Sequence, residues 1–185
     1  MPTMEPEKPQ TSTEAVVVIT AVGRDQPGII AALAKAVFDL GGNLDDATMT
    51  RLHGAFSTMV SARLPEGRTE EDVRSALAPV ALELGLTLAV QTVPAHAEED
   101  APDTQITVYG ADRPGIVYQV ASRLAMRGVN ITDMDTRLTG TAAAPVYVML
   151  LETVTGDLDL TEDLAVLRDE LGVNVSAQPL DTEAL

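Results

Sequence analysis

The sequence predicts an α+β protein made of two tandem, ferredoxin-like β-α-β-β-α-β units, each an antiparallel sheet with two helices on one face. Three observations carry that expectation. The 185-residue chain repeats itself: Gly23-Arg24-Asp25-Gln26-Pro27-Gly28-Ile29 returns as Gly110-Ala111-Asp112-Arg113-Pro114-Gly115-Ile116. At the same offset, Gly41-Gly42-Asn43-Leu44-Asp45-Asp46 returns as Gly128-Val129-Asn130-Ile131-Thr132-Asp133, and such internal periodicity is the first thing to seek in a chain. Secondly, both halves alternate strand-like and helix-like hydrophobic spacing in one order. Thirdly, residues 1–13 and 94–103 are rich in Pro, Thr, Ala and acids, the composition of a disordered tail and a solvated linker. They bound two small domains, 14–93 and 104–181.

The first copy opens on the β-branched run Val16-Val17-Val18-Ile19, suited to a central strand that ends at Gly23. Pro27 sits where a helix is expected to start, and Ile30, Leu33, Val37 and Leu40 form its apolar stripe until Gly41-Gly42 stops it. Residues 44–51 and 55–64 read as two strands around a tight turn at Leu52-His53-Gly54. Thr69 followed by Asp72 predicts a capping box and a second helix, with Val73, Leu77, Val80 and Leu84 facing inward. Pro79 within that pattern is expected to kink the helix or end it early. Leu86, Leu88 and Val90 alternate with polar or small residues, as a half-buried strand does. The second copy predicts strand 104–110, helix 114–127, strands 130–138 and 146–153, helix 160–171 ending at Gly172, and strand 172–178. Its hairpin is expected to be looser, with Thr139–Pro145 as a longer connection.

Composition excludes several function classes. Twelve basic residues against 28 acidic ones give a formal charge of −16, which opposes binding to phosphate backbones and anionic membranes. Five aromatics (Phe38, Phe56, Tyr109, Tyr118 and Tyr147) are too few for base-stacking platforms. No direct nucleic-acid partner and no membrane partner are therefore expected. There is no cysteine, so thiol catalysis, disulfides and cysteine-ligated metals are out. His53 and His96 are isolated and fit no metal spacing. Asp45-Asp46 and Asp133/Asp135 lack a third carboxylate at loop spacing. Neither an apolar span nor a signal-like N-terminus is present, so a cytoplasmic protein is expected. No catalytic constellation, metal or cofactor is indicated.

What the duplicated turn offers is a binding surface. A proline-led helix start leaves N–H groups unpaired, and the adjoining glycine lets a ligand approach the backbone. Such a terminus favours a carboxylate. Asp112 offers an acceptor to an ammonium, and Asn130 begins the next strand, expected to lie beside the first. Together these groups suit a zwitterion, with Asp25, Gly28, Ile29 and Asn43 as the counterparts in copy one. Each also has an ordinary structural explanation: aspartate before proline caps helices, Gly-x-Asn makes turns, and Arg113 can be a solvated surface charge. His53 is expected to be a turn residue.

The segment Val17–Ile30 followed by Gly42-Asn43-Leu44-Asp45-Asp46 resembles an ACT domain, and Thr107–Asp133 resembles a second. The tandem layout resembles the glycine cleavage system transcriptional repressor family. That resemblance implies domains that associate side by side and bind small molecules, often amino acids, at their interface. It implies Asp25, Gln26, Gly28, Ile29 and Asn43, and Asp112, Arg113, Gly115, Ile116 and Asn130, as ligand-facing residues. It implies further a non-enzymatic regulator, with glycine as one candidate effector. Its partner would be a DNA-binding regulator or a metabolic enzyme. A protein-interaction module or regulatory subunit with no ligand of its own is the alternative. Unpaired sheet edges predict a homodimer.

Overall fold

The computed structural model describes residues 15–94, 100–141 and 144–180. The predicted tail 1–13 and part of the predicted linker lie outside the described residues. The chain divides into two units at Glu98/Glu99, and each is built from the same elements. The first holds β1 (Ala15–Arg24), α1 (Ile29–Asp39), β2 (Asn43–Leu52), β3 (Ala55–Leu64), α2 (Glu70–Leu84) and β4 (Thr87–Val93). The second holds β5 (Thr104–Ala111), α3 (Ile116–Met126), β6 (Asn130–Thr141), β7 (Ala144–Val154), α4 (Thr161–Leu171) and β8 (Asn174–Pro179). The predicted β-α-β-β-α-β order is realised twice.

Each unit is a four-stranded antiparallel sheet, ordered β2-β3-β1-β4 and β6-β7-β5-β8. Period-two alternation decides which face is covered. In β1, Val17, Ile19 and Ala21 are fully buried against Leu33 and Val37 of α1 and Val73 and Leu77 of α2. In the second unit Ile106, Val108, Met149 and Leu151 meet Val120, Leu124, Leu164 and Leu167. Each fully buried aliphatic side chain stabilises its domain by about 1.5–3 kcal/mol. β2 and β6 are edge strands, exposed at most positions, and each carries a bulge, at Leu44/Ala47 and at Ile131/Asp133. Bulges of this kind twist an edge and reduce its use as a pairing template.

Close approach and backbone sign explain why glycine recurs in the repeat. A Cβ on Gly23 would lie 2.6 Å from Leu86, and one on Gly110 2.9 Å from Val173. Gly28 and Gly115 have φ of +96° and +94°, a region that L side chains rarely enter. They are the N-caps of α1 and α3, so the helices start one residue beyond the glycine. Pro27 and Pro114 therefore belong to the turn before the helix rather than to its first turn, a correction to the expected start.

Other expectations hold or shift for identifiable reasons. The Thr69/Asp72 capping box is formed in both directions, and the Thr69 N–H and hydroxyl hold the Asp72 carboxyl below its ordinary pKa. Pro79 does not end α2, which continues to Leu84. Pro79 and Ser75 both lie on the exposed side, so water can take the Ser75 carbonyl that proline leaves unbonded. The second hairpin is not looser but longer. Its ladder runs two rungs past Thr139↔Val146, to Gly140↔Pro145 and Thr141↔Ala144; Ala142-Ala143 lie outside the described residues.

Asp103, expected in the linker, is an anchor of the second unit. Its carboxylate accepts the Thr155 hydroxyl (2.7 Å), the Thr155 N–H (3.0 Å) and the Gly156 N–H (2.7 Å). These donors, the Thr155 hydroxyl foremost, hold the Asp103 carboxyl far below the usual carboxylate range. A pKa depressed on folding stabilises fully above the unfolded value, and that contribution is lost as pH falls towards the folded one. Asp103→Ala is expected to lower the Tm at pH 7, and the gap from wild type to narrow below about pH 4. Thermal melts across that range test it; a gap independent of pH would separate the effect from the charge. Thr69→Ala is expected to cost about 1 kcal/mol in urea unfolding through loss of the cap.

Candidate functional site

β1 and β5 each end at the loop that carries the repeat's most distinctive residues, and the two loops are held alike. In the first unit the Gln26 side-chain amide donates to the Leu84 carbonyl at 2.7 Å. In the second, the Arg113 guanidinium donates to the Leu171 carbonyl at 3.0 Å. Both carbonyls terminate the second helix of their unit, where the last C=O groups lack intrahelical donors. Gln26 and Arg113 thus share a structural task, fastening the loop to a helix end. Nothing in the sequence signalled this, because the contact spans 58 residues.

The helix starts remain open. Gly28 O and Gly115 O accept the first helical bonds, from Ala32 and Gln119, both at 2.9 Å. Neither α1 nor α3 has a side-chain cap, so Asp25 and Asp112 do not serve as N-caps. The first N–H groups of both helices are left for solvent or a ligand.

Here the two loops diverge. In the first, the Asp25 carboxylate takes the Arg51 guanidinium at 3.1 Å, and the Asp25 N–H donates to Gly54 O at the hairpin tip, also at 3.1 Å. His53, φ +50°, sits in that turn as expected. In the second, Leu138 stands at the position of Arg51, opposite Tyr147. Asp112 has no ion pair with another described side chain. A cavity of about 390 Å³ opens here, lined by Asp112, Arg113, Gly115 and Ile116 together with Val117, Tyr118 and Tyr147. Four of the five residues expected in copy two therefore share one cavity. The tyrosines were not among the expected residues, although all three tyrosines of the chain fall in its second half.

The fifth residue is elsewhere. Asn43 was expected on a strand beside β1, but β3 lies between β1 and β2. Asn43 pairs with Arg63 and Arg63 with Val16, at the opposite end of β1 from Asp25. At about 3.3 Å per residue, Val16 to Asp25 spans roughly 30 Å. Asn130, level with the start of β5, is equally far from Asp112. The single-domain clamp of aspartate, helix N–H groups and asparagine is thus corrected, since no amino acid bridges that distance. Asn43 instead lines a hollow of about 240 Å³ with Gly41, Arg63, Leu64 and Pro65 and donates to Asp45 at 3.1 Å. Asp45 is held by Arg63 (Nε to Oδ2, 2.8 Å), whose hydrogen bond depresses its pKa. Among the described residues no cluster of three metal-ligating acids or histidines occurs, and no helix is long and apolar enough to cross a membrane.

Two small antiparallel sheets, each with two helices and a loop–helix junction at the end of its central strand, define a duplicated α+β fold. The chain belongs to the ACT-domain family, with matches at residues 15–91 and 104–172. It is 39% identical over 79 residues to a UPF0237 protein of Methanopyrus kandleri, a match covering 41% of this chain and 86% of that one. In fold it is similar to an unknown protein from Galdieria sulphuraria, at TM-score 0.76 and 23% identity over 90% of this chain and 98% of that one. It is likewise similar to a candidate glycine cleavage system transcriptional repressor, at TM-score 0.68 and 19% identity over 91% and 99%.

If Gln26 fastens the loop, Gln26→Ala is expected to destabilise the first domain by at most about 1 kcal/mol, the worth of one exposed hydrogen bond. Gln26→Glu is expected to cost more, because a carboxylate faces the negative end of α2. Urea unfolding ranks the two; equal stability of both variants and wild type would remove the fastening role.

Proposed function

We propose that this tandem ACT chain is a non-enzymatic regulator that binds a small zwitterion, an amino acid, and passes its state to a protein partner. The observation that carries the reading is the second loop. There an unpaired carboxylate, uncapped helix N–H groups and a cavity coincide, offering an amine acceptor and carboxylate donors around one opening. Asn130 lies too far away to join them within one domain. It can take part only where a neighbouring ACT sheet aligns its opposite end with the loop, as antiparallel pairing of edge strands between copies in a homodimer would do. An effector that prefers one such pairing shifts its population only by its difference in affinity. At about 100 times its Kd, that is roughly 2.7 kcal/mol.

The chain's formal charge of −16 opposes direct contact with DNA, so any effect on transcription would run through a DNA-binding partner. A metabolic enzyme is the other kind of partner this reading admits, and a cytoplasmic setting fits both. One observation favours the interaction-module alternative for the first domain. Its aspartate is already paired and its loop pinned at Gly54, leaving less for a ligand to satisfy.

A thermal-shift screen of the twenty amino acids against the full chain tests the proposal. At least one is expected to raise the Tm by several degrees, and Asp112→Ala to abolish the shift while the unliganded Tm stays near wild type. Silence across all twenty would leave the interaction module as the surviving reading.

A further inference from the structure

The geometry points to the effector class: the second ACT domain selects an amino acid with a large apolar side chain, an aromatic one above all, and not glycine. This rests on the ligand-binding reading above and deepens it.

Three observations carry the inference, two of them differences between the copies of one backbone. The first is charge. Arg51 in copy one engages Asp25 at 3.1 Å, whereas Leu138 at the matching position leaves Asp112 to accept an external ammonium. The second is the walls. Tyr118, on the first turn of α3, replaces Ala31, and Tyr147, opposite Leu138 on β7, replaces Phe56, opposite Arg51 on β3. Phe56 is buried in the first core at 2% exposure and Tyr147 is half-buried against the second, so the difference lies chiefly at Tyr118, 74% exposed at the cavity. A large aromatic surface left in water beside an opening gains by being covered.

The third is size. A cavity of about 390 Å³ lies within the usual range for small-molecule sites. Glycine has only its charged ends to offer, and they would leave Val117, Tyr118 and the open edge of the half-buried Tyr147 wet. A side chain of phenylalanine or leucine size covers those walls, and burying one is worth on the order of 10- to 100-fold in affinity. The amine is directed to Asp112, the carboxylate to the α3 N–H groups, and the side chain to the tyrosines.

Copy one supplies variants that the fold already tolerates. Tyr118→Ala restores the residue at position 31, and Leu138→Arg restores the cation at position 51, on an exposed site. In calorimetric titrations of the full chain, L-phenylalanine is expected to bind on the order of 10- to 100-fold tighter than glycine. Tyr118→Ala should erase most of that preference. Leu138→Arg should weaken both ligands together, by about tenfold, since it competes for Asp112. Glycine binding as tightly as phenylalanine, or a preference undiminished in Tyr118→Ala, would overturn the side-chain selection and leave the ligand-binding reading standing. Absence of binding by any of the twenty amino acids would overturn both.

Discussion

The reversal from the first strand to the first helix constrains everything else in each domain. The chain must turn sharply enough to lay the helix back on its own sheet, and it does so with a glycine at φ near +95°. That conformation calls for glycine, which has no side chain to cap with, so the helix begins with its N–H groups bare. The loop then needs a tether from outside. Gln26 and Arg113 provide it by reaching the terminal carbonyl of the other helix. One contact therefore fixes three things at once: the loop, the end of the second helix and the direction in which the bare N–H groups face. Asp25 and Asp112 are carried on that tethered loop, which is why a carboxylate and bare N–H groups come together from a structural necessity.

The repeat was legible because its identities are backbone requirements. Gly28 and Gly115 answer to the sign of φ, and Gly23 and Gly110 to a close approach. Alternation in β1 and the stripe of α1 revealed which residues face the core, since periodicity encodes faces. It does not encode which end of a sheet a residue occupies, nor which strand lies next to which. Asn43 was therefore placed beside Asp25 when antiparallel order sets it at the far end of β1. Asp103 was missed for a related reason. In sequence it looks like solvated linker, and only the return of the chain at Thr155 and Gly156 turns it into an acceptor of three donors. The Gln26 and Arg113 tethers and the tyrosine walls share that character, because contacts across long separations leave no local trace.

Duplication explains how the copies came to differ without losing the fold. Backbone hydrogen bonds and core positions tolerate little change, so both sheets retain the same order, and both edge strands bulge near the same point. Exposed positions around the loop are less constrained. Arg51 against Leu138 and Ala31 against Tyr118 alter charge and surface while the main chain stays as it was. In copy one the shorter hairpin brings Gly54 O to the Asp25 N–H, and the loop is satisfied from within. In copy two the ladder carries the hairpin tip two rungs further, and the loop keeps its polar groups for solvent.

The molecule's overall charge bears on which ligands such a loop can hold. A formal −16 surrounds every site with negative potential, which repels phosphorylated metabolites and dicarboxylates and is felt beyond contact distance at low salt. A cation is drawn in, but it would find only Asp112 in the second cavity and nothing to separate it from the many other acids on the surface. A zwitterion has no net charge, so it approaches without that monopole cost. It is then recognised by two groups of opposite polarity at short range, where the local field and not the distant one decides. On the proposed reading, the carboxylate that an anionic protein would otherwise repel would meet backbone N–H groups there, whose dipole does not depend on any basic side chain. A strongly acidic protein can therefore read a carboxylate, provided that the same ligand brings its own ammonium.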